Sequence, residues 1–162
     1  MEIVPEKAPI FHIPLTTEDL IGDFRYFEWT ISQPLALMEY CCIFGQKIPI
    51  TEEIYRVLER PLPKMSSINL YFPIGTTNDG GEILVEESYP RKGTISPADI
   101  FRFIEGFYNS AFTMNEAAEL SPEVLDRVRK GEVIPFKEFL GSAKLKGLTP
   151  WKKGYRVELR YM

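Results

Sequence analysis

The chain has 162 residues, a hydrophobic share of 44%, a charged share of 26% and a net charge of −4. These are the proportions of an ordinary soluble globular protein, and the length suits one domain with a core that needs no disulfide or metal staple. No apolar run approaches the roughly 18 residues that would span a bilayer, which argues against a membrane partner.

Residues 1–23 carry prolines at positions 5, 9 and 14 and no periodicity. They read as an extended N-terminal arm whose Ile10, Phe11, Ile13 and Leu15 lie on the body or on another subunit. Thr17 suits the cap of a short turn ended by Gly22. The remainder, 24–162, reads as a single domain. Residues 24–31 alternate, with Phe27, Trp29 and Ile31 on one side and Tyr26, Glu28 and Thr30 on the other, which predicts a strand. Residues 35–44 fit a short helix or a buried strand equally. Residues 48–50 contain Pro49 and read as a loop or edge segment. Thr51 caps a helix over 52–59, stopped by Pro61 and Pro63.

Strict alternation over 68–74, then a turn-rich GTTNDGG loop at 75–81, then a second strand over 82–89, predict a hairpin. The following stretch, 93–110, gathers several signals. Ser96 is placed to cap a helix, Pro97 fits its first position, and Asp99 sits three residues after the cap. Ile100, Phe103, Ile104, Phe107 and Tyr108 then recur at the spacing of one buried helical face. The spacing predicts a helix over 97–108, with Phe101, on its second face, packed under the next helix near Leu120 or Val124. Thr113 and Glu116 make a capping box for a helix over 114–120, and Ser121–Pro122 restart another that Gly131 ends. A segment over 134–140 leads to a strand over 143–148, a turn at 152–154 and a last strand over 155–161. In that strand Tyr155, Val157, Leu159 and Tyr161 point inward, and Arg156, Glu158 and Arg160 outward. The expected fold is α+β: a mainly antiparallel sheet of about five strands with three or four short helices packed on one face.

The run TISPADIFRFIEGFY, followed by TMNEAAEL, a basic helix, FKEFLGSAKLKGLTP and a closing YRVELRY, resembles an uncharacterised domain abundant in basidiomycete fungi. Similar proteins occur in giant DNA viruses of the Marseillevirus kind. The pattern matches at Trp29 and Pro34, at Pro61 and Pro63 before the strand over 68–74, and at Thr94, Ile95, Asp99 and Ile100. It resumes at Phe139, Leu140, Leu145, Gly147 and Leu148, with Glu138 standing where the pattern has Asp. The resemblance covers residues 26–162. It implies the same fold and a viral or fungal setting, in the host cytoplasm if viral. It implies no activity, cofactor or catalytic residue.

Candidate chemistry is sparse. His12 is the one histidine and sits in the arm, away from any matching nucleophile or acid pattern. Cys41 and Cys42 are adjacent, a spacing that suits neither a bridge nor a zinc site, so both are expected reduced, in a reducing cytoplasmic compartment. The start of the chain lacks the features of a secretory signal. The carboxylate pairs Glu18–Asp19, Glu52–Glu53 and Glu86–Glu87 are sequence neighbours that do not face each other. Asp99 reads as a cap. The glycines of GTTNDGG precede a strand and fit no phosphate loop. No catalytic residue, metal ligand or cofactor is assigned.

Charge is unevenly spread. Residues 127–162 hold ten Lys/Arg against three Asp/Glu, and the first 126 hold nine against twenty. The basic third faces the acidic part within the fold, sits in water, or offers a surface to nucleic acid or an acidic partner. The leading functional expectation is a non-enzymatic protein–protein interaction module, possible self-association included, with Phe11, Tyr26 and Tyr71 as interface residues. The alternative is a nucleic-acid-binding surface built from Lys144, Lys146, Lys152, Lys153, Arg156 and Arg160. The third is an enzyme whose carboxylate and tyrosine site is assembled only by the fold.

Overall fold

The computed structural model describes residues 27–41, 46–62, 65–77, 79–90 and 93–161. Two sheets and four α-helices are built from them, an α+β arrangement with mostly antiparallel pairing. The smaller sheet runs in the order β1 (Phe27–Glu28), β2 (Glu39–Cys41), β3 (Lys47–Pro49). A 3-10 turn, Leu35–Leu37, connects β1 to β2. The larger sheet contains β4 (Ser67–Thr76), β5 (Glu82–Pro90), β6 (Lys144–Trp151) and β7 (Gly154–Arg160), in the order β5-β4-β7-β6. The helices are α1 (Glu52–Leu58), α2 (Pro97–Asn109), α3 (Met114–Leu120) and α4 (Pro122–Arg129). A second 3-10 turn, Phe136–Phe139, precedes β6.

Strands stand at the five expected places, but they do not form one sheet. The first covers only Phe27–Glu28, with 24–26, like the arm 1–23, outside the described residues. The ambiguous 35–44 stretch becomes a turn followed by β2, and the Pro49 segment becomes β3. Both add to a separate three-stranded sheet. The alternating segment 27–31 serves both sheets. Phe27 and Glu28 pair with β2, while Ile31 N–H donates to Ala143 O (3.0 Å) and Leu145 N–H donates to Trp29 O (3.0 Å) on the edge of β6. Phe27, Trp29 and Ile31 are all buried, as their alternation predicts.

One pairing is parallel: β4 with β7, at Leu70–Tyr155 and Tyr71–Arg156. It depends on a glycine. A Cβ on Gly154 would lie 2.1 Å from Asn69 O, so only a residue without one lets β7 start against the β4 backbone.

Helix α2 organises the interior because its apolar residues cover more than one face. Its start is as the sequence predicts. Asp99 N–H donates to Ser96 Oγ (3.2 Å) and Ser96 N–H donates to Asp99 Oδ2 (2.9 Å), a reciprocal cap with Pro97 in the first turn. Toward the large sheet, Phe107 stacks between Phe72 of β4 (4.0 Å between ring centroids) and Phe136 (4.6 Å), and Phe103 stacks on Tyr89 of β5 (4.3 Å). Such aromatic pairs contribute about 0.5–1.5 kcal/mol each beyond area burial. Toward the small sheet, Phe101 meets Phe27 edge-on (5.7 Å). Phe101 is buried, but the expected place for it under the following helix is wrong. Its ring turns toward β1 and α1, while Leu120 of α3 packs over Gly75 instead. The expectation that the helices share one side of a single sheet is corrected likewise, since α2 meets both sheets.

Tyr108 fastens α2 to β4. Its fully buried hydroxyl donates to Pro73 O (2.8 Å), and burial pushes its pKa well above the ordinary tyrosine value. Pro73 has no N–H and lies at a register shift between Pro73 and Gly75, beyond the last residue paired with β7. The strand irregularity and the tyrosine are therefore coupled: the ring closes a carbonyl that the ladder on that side does not reach. At the last strand, Val157 is buried and Tyr155 and Leu159 pack on the core, but Tyr161, expected inward, is exposed.

Two substitutions separate these contributions. Phe107→Ala removes the middle ring of a three-ring stack and is expected to cost about 3–5 kcal/mol. Tyr108→Phe keeps the ring and orphans the Pro73 carbonyl, for a cost of about 1–2 kcal/mol. Urea unfolding of both variants measures the difference. A Phe107→Ala loss no larger than that of Tyr108→Phe would mean the stack does not carry the core.

Candidate functional site

Helix α1 begins at Thr51, whose Oγ1 accepts the N–H of Ile54 (3.3 Å). The turn 35–37 and α2 face it across a cleft of about 490 Å³. Its floor is apolar, made by Leu35, Met38, Leu58, Ala98 and Phe101, and its rim carries Tyr55, Arg102 and Glu105. Ala36 and Tyr55 in its lining are exposed, as is Leu37 in the same turn as Ala36.

The charged rim groups are held by the chain itself. Arg102 Nη1 donates to Asp99 Oδ1 (3.1 Å), and Nη2 reaches both Glu59 Oε2 (2.8 Å) and Tyr55 Oη (3.0 Å). The hydrogen bonds to Glu59 and Tyr55 raise the guanidinium pKa above its ordinary value, and the same arginine lies 5.7 Å from the centre of the Tyr55 ring. Arg102 thus ties α1 to α2. Glu105 Oε2 accepts the N–H of Leu35 (2.6 Å), which fixes the 35–37 turn to α2. What remains for a ligand is an apolar surface with a polar border, the arrangement of a binding pocket. Sequence reasoning does not find this cleft, because its three walls come from residues up to 70 positions apart.

The residues singled out in the sequence are scattered. Phe11, Tyr26, His12 and Cys42 lie outside the described residues, and Cys41 is half-buried on β2. Tyr71, expected on an open face, is buried beside β5, with its hydroxyl donating to Glu86 Oε2 (3.2 Å). Its ring is covered, which corrects its place as an exposed interface residue. Asp99 is the helix cap described above. In the GTTNDGG loop, Thr77 Oγ1 accepts the N–H of Gly81 (3.1 Å) and its hydroxyl donates to Asp79, closing a turn that lowers the Asp79 pKa. Among the described residues no group of three His, Cys, Asp or Glu is placed to hold a metal, and no helix is long and apolar enough to cross a membrane.

The six basic residues do not form one patch. Lys144 Nζ and Lys47 Nζ both donate to Glu28 Oε2 (2.8 Å each). Arg156 pairs with Glu82 and, through Nε at 3.3 Å, with Glu158, and it lies 5.3 Å from the Trp151 ring centre. Lys152 and Lys153 sit in the exposed β6–β7 turn, with Lys152 at φ 46°, while Arg160 lies at the far end of β7. At about 3.3 Å per residue, some 20 Å separates those ends. Among the described residues, four of the ten basic residues of the last third meet acidic partners, since Arg127 also bonds Glu132 and Glu138 and Lys130 bonds Asp126.

The ion pairs of Lys144 and Lys47 hold the Glu28 carboxyl below the ordinary carboxylate range. A depressed folded-state pKa stabilises the fold above the unfolded value, and that stability is lost as pH falls through the folded value. Glu28→Gln is therefore expected to cost about 1 kcal/mol at pH 7. The gap from wild type should close as pH drops below about 4. Denaturation of both proteins across pH 3–8 measures it, and a gap that does not change with pH would show that the carboxylate charge plays no part. No family model, characterised protein or solved structure matches the chain.

Proposed function

We propose that the protein is a non-enzymatic interaction module that takes a partner protein into the cleft between α1, the 35–37 turn and α2. One observation carries the reading. The cleft floor is apolar and its lining exposes Ala36 and Tyr55, whereas Arg102 and Glu105 on the rim are already engaged within the chain. Its size falls within the roughly 300–1,000 Å³ of ordinary binding pockets. The partner that fits presents one bulky aliphatic or aromatic anchor to the floor, with polar groups that meet the Arg102–Glu59 pair at the border. A second copy of this chain is one such partner. The nucleic-acid alternative has less support, because Lys144 and Arg156 are paired internally and the other four basic residues divide between two ends of a hairpin.

Selection of random peptides displayed on phage against the full chain tests the reading. Peptides with a single large apolar anchor should be enriched, and their affinity should fall at least tenfold on Ala36→Trp, a change at an exposed position that narrows the cleft entrance. Peptides that bind Ala36→Trp as well as wild type would overturn the assignment. Light scattering identifies the second-copy case: a dimer that becomes monomeric on Leu37→Glu.

A further inference from the structure

A second depression lies on the other side of Arg102. Strand β5 is the outer strand of the larger sheet, and among the described residues nothing pairs with its outer edge. Between that edge and α2 runs a groove of about 460 Å³. Tyr89 and Phe103, stacked on one another, make its floor with Phe107, and Glu87 stands at its lip.

On the helix side the groove is open because α2 has Gly106 there. Among the described residues a Cβ at Gly106 would meet nothing within 4 Å, so packing among them does not require the glycine. Glycine in a helix interior is disfavoured relative to alanine. A residue that weakens the helix and relieves no contact among the described residues suits a surface that another backbone approaches closely.

We propose that this groove receives an extended, basic segment of a partner protein, which adds to β5 as a further strand and lays alternate side chains onto Tyr89 and Phe103. Charge selects the occupant. Strand β5 carries Glu82, Glu86 and Glu87 and no Lys or Arg. Glu82 is paired with Arg156 and the lining Arg102 with Asp99 and Glu59, so Glu86 and Glu87 carry the charge a partner strand meets. Pairing with the same strand of a second copy would bring like charges together, which destabilises adjoining strands. A strand with Lys or Arg opposite Glu86 and Glu87 and an apolar residue over the groove meets both demands. Main-chain hydrogen bonds to the edge supply affinity and the groove supplies selectivity. Glu87, turned toward the helix-covered side of an edge strand, also discourages indiscriminate pairing.

The site is separate from the cleft beyond Arg102, and the two are tested apart. Nine-residue random peptides displayed on phage are selected against the full Ala36→Trp protein, in which the cleft entrance is narrowed. The expected winners alternate β-branched with other residues and carry at least one Lys or Arg. Their synthetic versions should slow hydrogen exchange at residues 83–89. Gly106→Leu should fill the groove and lower their affinity at least tenfold while the unfolding midpoint holds or rises, since leucine is the better helix former. Glu87→Lys should lower the affinity for basic peptides and raise it for acidic ones. Absence of enrichment, peptides whose affinity survives Gly106→Leu, or protection that falls outside β5 would each overturn the proposal.

Discussion

The stack of Phe72, Phe107 and Phe136 is the contact on which the rest of the architecture depends. It joins β4, α2 and the turn before β6, three pieces that share no local sequence. A helix with apolar residues around more than half its girth cannot be satisfied by one sheet. Phe107 and Phe103 take the larger sheet, and Phe101 needs a second cover. That cover is the small sheet, through Phe27, together with α1. Among the described residues, the cleft and the groove are places where covering α2 from both sides leaves its flank uncovered, and Arg102 lines both.

Charge follows the same division of labour. The basic and acidic portions of the chain are separated in sequence and joined in space. Glu28 meets Lys144 across 116 positions and Arg156 meets Glu82 across 74, while Arg102 meets Glu59 across 43 within the acidic portion itself. These pairs hold elements in register more than they add stability, since partly exposed ion pairs are worth little individually. Glu28 is the clearest case, because its two lysines come from β3 and β6, one on each sheet.

What could be read from the sequence was local. The caps at Thr51, Ser96 and Thr113 involve residues three positions apart, and all three form. The alternation of Phe27, Trp29 and Ile31, and of Ile68, Leu70, Phe72 and Ile74, gave their buried faces correctly, because period two needs no partner to be seen. Partner choice was not legible. Nothing local says that β4 and β7 run parallel, that residues 35–37 form a turn anchored by Glu105, or that Phe101 turns toward Phe27. Tyr71 shows the same limit. Its position in the alternation is outward, but the neighbouring strand and Glu86 decide its burial. The cleft lay beyond sequence reasoning because each of its walls is an ordinary amphipathic element until the others arrive.

The segment 29–31 ties the early part of the chain to its late part. Its backbone bonds go to Ala143 and Leu145, so the small sheet can be joined to the large one only after β6 exists. During synthesis, at about 5–20 residues per second, the residues around Trp29 wait several seconds for the strand that completes their pairing. Closing so long a loop carries an entropic cost before any contact rewards it, which places this junction among the late events of folding. Until then Phe27 can already meet Phe101 of α2, but the backbone of Trp29 and Ile31 lacks the partners that Ala143 and Leu145 supply. A newly made chain therefore passes through an interval in which this strand edge is open to chaperones or to neighbouring chains.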